Sequence, residues 1–258
     1  MVDAVLLDLS GVLYSGSRAV PGAAEAVARL RGAGLGLRFV TNSTRTPRRG
    51  LLAKLAGMGI ELEEGELFTP ARAALDWLEA RGLTAHLLIH PDLEEDFTDL
   101  PEGGRGRAVV LGDAGEAFTY ARLNAAFREL AGGADFLALA ANRSFMDADG
   151  ALSMDAGAFV AALEYASGVE AEVLGKPAPG FFGAALDSLG TAPERAVMVG
   201  DDAEADVAGA LNAGLRHAVL VRTGKYCDGD ETRFDPEPSV TLSDIGAAAD
   251  WILDRAGA

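Results

Sequence analysis

Asp8, Thr41, Lys176 and Asp201 are the residues of this 258-residue chain whose types and settings suit one reaction. Three of them close short apolar runs. AVLLDL carries Asp8 next to its last residue and leads into Ser10, LGLRFVTN ends on Thr41 and Asn42 with Ser43 next, and AVMVGDD ends on Asp201 and Asp202, while Lys176 lies in VLGKP. In an open parallel sheet, ligands bind beyond the carboxyl ends of the strands, so these side chains are expected to converge although the chain separates them widely. Two carboxylates can approach a phosphoryl group only with a divalent cation such as Mg²⁺ between them to offset the repulsion. One carboxylate is then free to attack phosphorus in line, while the Lys ammonium and the Thr hydroxyl hold the remaining oxygens.

The elements that must position these residues alternate between strand and helix. AVLLDL is nearly continuous in apolar character, as expected of a strand buried on both faces. Pro21-Gly22 opens a helical stretch with Val27 and Leu30 on one face, and Pro47 to Met58 carries Leu51, Leu52 and Leu55 at helical spacing. A second alternation fills the middle: strands Ala85 to His90 and Ala108 to Asp113, helix AFTYARLNAAFREL, strand FLALAANRS, a hairpin closed at Asp149-Gly150, and a helix from Ala158 to Ser167. GGRGR (103–107) reads as an exposed turn between them. The last third returns to the first pattern, with a helix near Phe181 to Leu189, a helix through Leu211 and strand HAVLVRTG. The fold class expected is therefore α/β, a Rossmann-like doubly wound parallel-sheet core (1–71 and 173–258) with an inserted α/β cap domain (72–172).

Taken in order, DLSGV, VTNS, GKP and GDDAEAD resemble the four short motifs of the haloacid dehalogenase superfamily, and the resemblance covers nearly the whole chain. Within it the chain is similar to the phosphatases with a large α/β cap between the second and third motifs. These are the pyridoxal and phosphoglycolate phosphatases and above all the phospholysine phosphohistidine inorganic pyrophosphate phosphatase group. VVLGDAGEAFTYARLNAAF and GALSMDAGAFVAALEYASGVEAEVLGKP carry that narrower likeness. The resemblance implies that Asp8 is the nucleophile and a magnesium ligand, that Ser10 gives its backbone carbonyl to the metal, and that Asp201 is the second carboxylate ligand. It also implies that Thr41, Asn42 and Ser43 bind phosphoryl oxygens and that Lys176 neutralises charge on Asp8 and substrate. Asp202 and Asp206 would stand behind the ligands, and the protein would form a homodimer through its cap.

One departure matters. Most members carry Asp two residues after the nucleophile, where it protonates the leaving group and later activates water; this chain has Ser10, as its nearest-looking relatives do. A hydroxyl of ordinary acidity is a poor general acid near neutral pH. The expected substrate is thus a small phosphorylated metabolite or phosphoramidate whose leaving group departs unaided: a P–N bond, pyrophosphate or an aryl phosphate. Two other readings share the Asp8 nucleophile or the phosphate site. A metal-independent haloacid dehalogenase would leave the Asp8 and Asp201 pair unexplained, and a phosphate-binding protein with little turnover would account for Ser10. A phospho-acceptor signalling domain also combines these residue types, but there the acidic pair precedes the acceptor.

Composition narrows the partners. With 22 Lys and Arg against 39 Asp and Glu, the formal charge of −17 argues against nucleic acid and anionic membrane surfaces. A lone Cys227, acidic Asp3 and Asp8 near the N-terminus, and no apolar run of spanning length lead to the expectation of a soluble cytoplasmic protein. His86, His90 and His217 lack zinc-ligand grouping, and Asp147 to Gly150 lacks the spacing of a calcium loop. Gly175-Lys176 is not a P-loop, nor do Gly32, Gly34 and Gly36 form a dinucleotide fingerprint. Trp77, Phe118, Tyr120 and Phe127 are expected in the cap core, whereas Phe145 and Met146, in a cap loop, are the candidates for substrate selection.

Overall fold

The computed structural model describes residues 1–98, 100, 103–146 and 151–256, without the side chains of Glu64 and Met146. Its contacts divide the chain into two compact units, Met1–Thr41 with Arg49–Phe68 and Lys176–Ala258, and Asn42–Arg48 with Thr69–Gly175. The Asp149-Gly150 turn lies outside the described residues.

In the first unit six strands form one fully parallel sheet. Across it run Val240–Leu242, His217–Val221, Ala196–Gly200, Ala4–Asp8, Gly36–Val40 and Leu67–Phe68. Numbered in chain order within this sheet and read from Leu67–Phe68, this is the Rossmann order 3-2-1-4-5-6, with His217–Val221 the fifth strand, and its direction reverses between Ala4–Asp8 and Ala196–Gly200. Both central strands are buried along their whole length, as their apolar runs require when each face is covered. Side chains alternate between faces: Val5, Leu7, Val197, Val199, Val219 and Val221 enter one core, while Leu6, Met198 and Leu220 are equally buried outside that cluster.

Helices Ala23–Gly32 and Ile245–Ala256 cover that first face. Each buries residues at i, i+3, i+4 and i+7: Ala23, Ala26, Val27 and Leu30 in one, Ile245, Ala248, Ala249 and Ile252 in the other. On the other side Phe181 lies 5.3 Å from Phe68 and 5.9 Å from Phe182, ring centre to ring centre. Phe181 belongs to helix Pro179–Asp187, which ends two residues before the expected Leu189.

The second unit has its own parallel sheet, ordered Glu172–Val173, Asp135–Ala138, Arg107–Leu111, Thr84–Leu88. Ser144–Met146 and Leu152–Met154 form the expected antiparallel pair. Thr69 and Thr119 cap helices Pro70–Arg81 and Tyr120–Ala131 by accepting the N–H of Arg72 and of Arg122. Phe118 stacks on Phe159, and Phe127 packs against the core, but Tyr120 is 82% exposed, contrary to expectation. The packed stripe of its helix starts one turn later, at Leu123, and so leaves the opening residue in solvent. Trp77 is half-buried and donates its indole N–H to Glu172 (2.9 Å).

Candidate active site

Parallel pairing places Asp8 at the carboxyl end of its strand, opposite Val40 on one side and beside the strand that ends at Gly200 on the other. Asp201 follows Gly200 directly, so both acids stand at the reversal point of the sheet. The next segment, Ala203–Ala208, winds as a wide π turn rather than the start of a regular helix, and Asp206 lies on it. Asp202 caps this turn by accepting the N–H groups of Glu204 (3.1 Å) and Ala205 (2.9 Å). These bonds and Lys225 outweigh the effect of burial and hold the Asp202 carboxyl below its usual range.

Lys176 opens the chain's return to the sheet, in a cis Lys176-Pro177 sequence. Its ammonium donates to Oδ1 of Asp8 and to Oδ1 of Asp206, the latter at 2.6 Å. The carboxylates of Asp8, Asp201 and Asp206 each offer an oxygen within 4.8 Å of the others, and all three residues are buried. Asp206, expected behind the ligands, has Oδ1 on the Lys176 ammonium and Oδ2 on the Asp202 N–H at 3.2 Å.

Three carboxylates and the one Lys176 ammonium leave the buried cluster two negative charges in excess when the acids are ionised. The proton equilibria register the crowding. Burial, and next Asp206, push Asp201 up to about 6 even though the Lys225 amide opposes them. Asp8 is also raised, by burial first and by Asp201, against the pull of Lys176. Burial alone would lower Lys176, but Asp206 and Asp8 reverse the effect and hold its ammonium above the ordinary lysine range. An all-oxygen donor set with an excess of two negative charges fits a hard divalent cation such as Mg²⁺.

Two glycines shape the approach to Asp201. Gly11 and Gly224 have φ of +87° and +66°, and a Cβ added to either would fall 1.8 or 2.0 Å from Oδ2 of Asp201. The Lys225 N–H donates to that same oxygen at 2.7 Å, and the Lys225 ammonium reaches Asp202 at 3.2 Å. The Thr223 hydroxyl donates to the Gly11 carbonyl at 2.5 Å. Sequence reasoning passed over Thr223 to Lys225; the signal was there, since HAVLVRTG also ends an apolar strand on polar residues and glycine.

Among the other expected residues, Thr41 is buried one residue beyond Val40, the register partner of Asp8. Ser10 is exposed, and the next amide, Gly11 N–H, donates to the Tyr14 carbonyl at 2.6 Å. Asn42 and Ser43 belong to the second unit. There a cavity of about 630 Å³ is lined by Arg45, His90, Asp113, Phe118, Phe145 and Phe159, among others. The Arg45 guanidinium donates to Asp113 through Nε (2.5 Å) and Nη2 (3.2 Å) and lies 4.8 Å above the Phe145 ring. Cys227 is exposed and free.

A Rossmann-ordered sheet thus gathers a buried acidic trio and a lysine at its reversal point, a donor set that could hold a divalent cation. The chain belongs to the haloacid dehalogenase-like hydrolases, whose family models match residues 5–101 and, as HAD-hydrolase-like, 173–248. It is 41% identical to rat phospholysine phosphohistidine inorganic pyrophosphate phosphatase, over 98% of this chain and 95% of that protein. It is also 44% identical to rat haloacid dehalogenase-like hydrolase domain-containing protein 2, over 99% and 97%. Among solved structures, the Thermotoga maritima 4-nitrophenylphosphatase superposes with a TM-score of 0.86 at 26% identity, covering 96% of this chain and 97% of that one. A Mycobacterium tuberculosis glycerol phosphate phosphatase in complex with magnesium does so with 0.79 at 26%, covering 95% and 76%.

Proposed function

We propose that this hydrolase is a magnesium-dependent phosphatase that acts through an aspartyl-phosphate on Asp8. The observation that carries the reading is the buried group of Asp8, Asp201, Asp206 and Lys176, two negative charges in excess of neutrality when the acids are ionised. Asp8, Asp201 and the Ser10 carbonyl would hold the cation, with Asp206 beside them. When bound, Mg²⁺ supplies Lewis-acid stabilisation of charge on the phosphoryl oxygens.

The rest is the work of the chain's own side chains. Lys176 holds Asp8 by one oxygen and offsets its charge, so the carboxylate meets the phosphoryl group with less repulsion. Asp8 attacks phosphorus, the bond to the leaving group breaks, and the leaving group departs with the electron pair. Water then attacks the same phosphorus, the bond to Asp8 breaks, and inorganic phosphate leaves with the carboxylate restored. Thr41, with Asn42 and Ser43, would bind phosphoryl oxygens. Phe145 and Met146 would select the remainder of the substrate; Phe145 lines the cavity of the second unit, and the Met146 side chain is outside the described residues.

The exposed Ser10 supplies neither acid nor base of useful strength, so the substrates of choice are small phosphoramidates, pyrophosphate and aryl phosphates, whose leaving groups need no protein proton. The relatives named for phosphohistidine, pyrophosphate and nitrophenyl phosphate fit this class. No helix among the described residues is long and apolar enough to cross a membrane; a cytoplasmic location is part of the proposal. A homodimer through the second unit completes the reading, and light scattering in solution tests it.

The decisive experiment measures kcat/KM over phosphates of graded leaving-group pKa, with Mg²⁺ and with chelator, for wild type and Ser10→Asp. A positioned acid contributes roughly 10²–10⁴-fold, so the wild-type rate should fall steeply with leaving-group pKa and the variant's less so. Activity indifferent to chelator overturns the metal, and a flat wild-type series with chemistry rate-limiting overturns the substrate class.

A further inference from the structure

Strand His217–Val221 lies next to Ala196–Gly200, so the loop after it emerges beside Asp201. That loop closes on Asp201. Oδ2 of Asp201 accepts the Lys225 N–H, and it lies so near the Cα positions of Gly11 and Gly224 that a Cβ on either would overlap it. The two glycine backbones also meet each other, since a Cβ on Gly224 would fall 2.5 Å from the Gly11 Cα. An oxygen enclosed by an amide and two backbones has little room for a cation with a full set of oxygen ligands.

The same loop grips the turn that follows the nucleophile's strand. Thr223 holds the Gly11 carbonyl, and Tyr14 holds the Gly11 N–H. In a planar trans peptide the carbonyl points opposite to the N–H of the following residue, so the bond to Tyr14 also fixes the direction of the Ser10 carbonyl. Gly11 is therefore fastened on both sides, once within its own loop and once from the loop after the fifth strand.

We propose that Thr223, Gly224 and Lys225 form a positioning clamp that turns Oδ1 of Asp201 toward the divalent cation and locks the Ser10–Gly11 peptide beside it. The clamp touches neither substrate nor metal and acts through Asp201 and Gly11. It rests on the metal reading given above. Removing a partner that orients a metal ligand weakens affinity roughly 10–100-fold. Thr223 adds a single half-buried hydrogen bond, a loss the fold tolerates, whereas Gly224→Ala drives a methyl group into the ligand itself.

The test is calorimetric titration of Mg²⁺ into the full-length chain, without substrate, for wild type, Thr223→Val, Thr223→Ser and Gly224→Ala. Thr223→Val should bind Mg²⁺ roughly tenfold more weakly, Thr223→Ser should restore affinity to within about twofold, and Gly224→Ala should lose about 10–100-fold. The activity of Thr223→Val should recover at high Mg²⁺, with KM for substrate little changed. A folded Thr223→Val that binds Mg²⁺ as tightly as wild type overturns the clamp, even if its melting temperature falls, and it decides the matter if Gly224→Ala does not fold. A wild-type chain that takes up no Mg²⁺ overturns the metal reading itself, which separates the two failures.

Discussion

Stripped of divalent cations, this protein should become less stable as pH rises from about 4 to about 7, and Mg²⁺ should reverse the loss. Asp201 has its pKa raised from 3.8 to about 6, chiefly by burial and then by Asp206. A carboxyl whose folded-state value exceeds its unfolded one binds its proton more tightly in the folded protein. Its stabilising contribution is therefore complete below about 3.8 and is lost as pH climbs through about 6. For Asp201 alone that corresponds to about 3 kcal/mol, or roughly 6–12 °C in Tm for a chain of this size. Asp8 and Asp206, also raised, act in the same direction. On the proposed metal reading Mg²⁺ binds the ionised acids, so its stabilisation should grow across the same window. Calorimetric melts of wild type and Asp201→Asn, in chelator and in Mg²⁺, stepped across this pH range, measure both effects. In chelator the variant should melt above wild type near neutrality and converge with it in acid. A difference that stays flat with pH, or an Mg²⁺ shift as large at about pH 5 as at about pH 7, would refute the reasoning.

Asp8→Asn should abolish turnover while leaving the fold intact, because the near-isosteric amide cannot form the aspartyl-phosphate; a steady-state rate above about 1% of wild type would remove Asp8 as nucleophile. In chelator this variant should melt no lower than wild type, since one charge of the crowded trio is gone. Lys176→Met takes the ammonium from Asp8 and Asp206 and should cost about 3–5 kcal/mol near pH 7, read by denaturant titration. A loss under about 1 kcal/mol would mean that the three acids already share a proton in the folded state.

The α/β architecture was legible because its central strands are covered on both faces and are therefore written as apolar runs, AVLLD and AVMVG. The meeting of Asp8 with Asp201 followed from that same parallel order, since the sheet reverses between their strands. Asp206 was harder to place. Its relation to Asp201 depends on the wide turn Ala203–Ala208, which no 3.6-residue period encodes and which brings the carboxylate forward to Lys176. The Lys225 contact was illegible for another reason. It is made by a backbone N–H, which every residue but proline possesses, so residue type carries no trace of it. Tyr120 failed because helical spacing gives a face but not where along the helix the underlying layer begins.

The same geometry bears on where the leaving group's proton comes from. Among the described residues around Asp8, Lys176 is held above its ordinary range by Asp206 and Asp8 and so keeps its proton. Asp206 is raised to about 6, in the range of a useful acid, yet Oδ1 is bonded to Lys176 and Oδ2 accepts the Asp202 N–H at 3.2 Å, with the residue 1% exposed. Asp201 has its Oδ2 enclosed by the Lys225 amide and two glycines, and its other oxygen is the one proposed for the cation. Burial, and next Asp8, raise the Tyr14 phenol above its ordinary value, which makes it a weaker acid than in water. Lys176, Asp206 and Asp201 are thus committed to holding the cluster together, and Tyr14 is too weak an acid to replace the missing carboxyl at position 10. On the proposed function the substrate would bring its own easy departure, through a nitrogen already protonated, a phosphate or an aryl oxide. The Ser10→Asp series tests that demand directly, because the new carboxyl would be the one acid at the site without a prior partner.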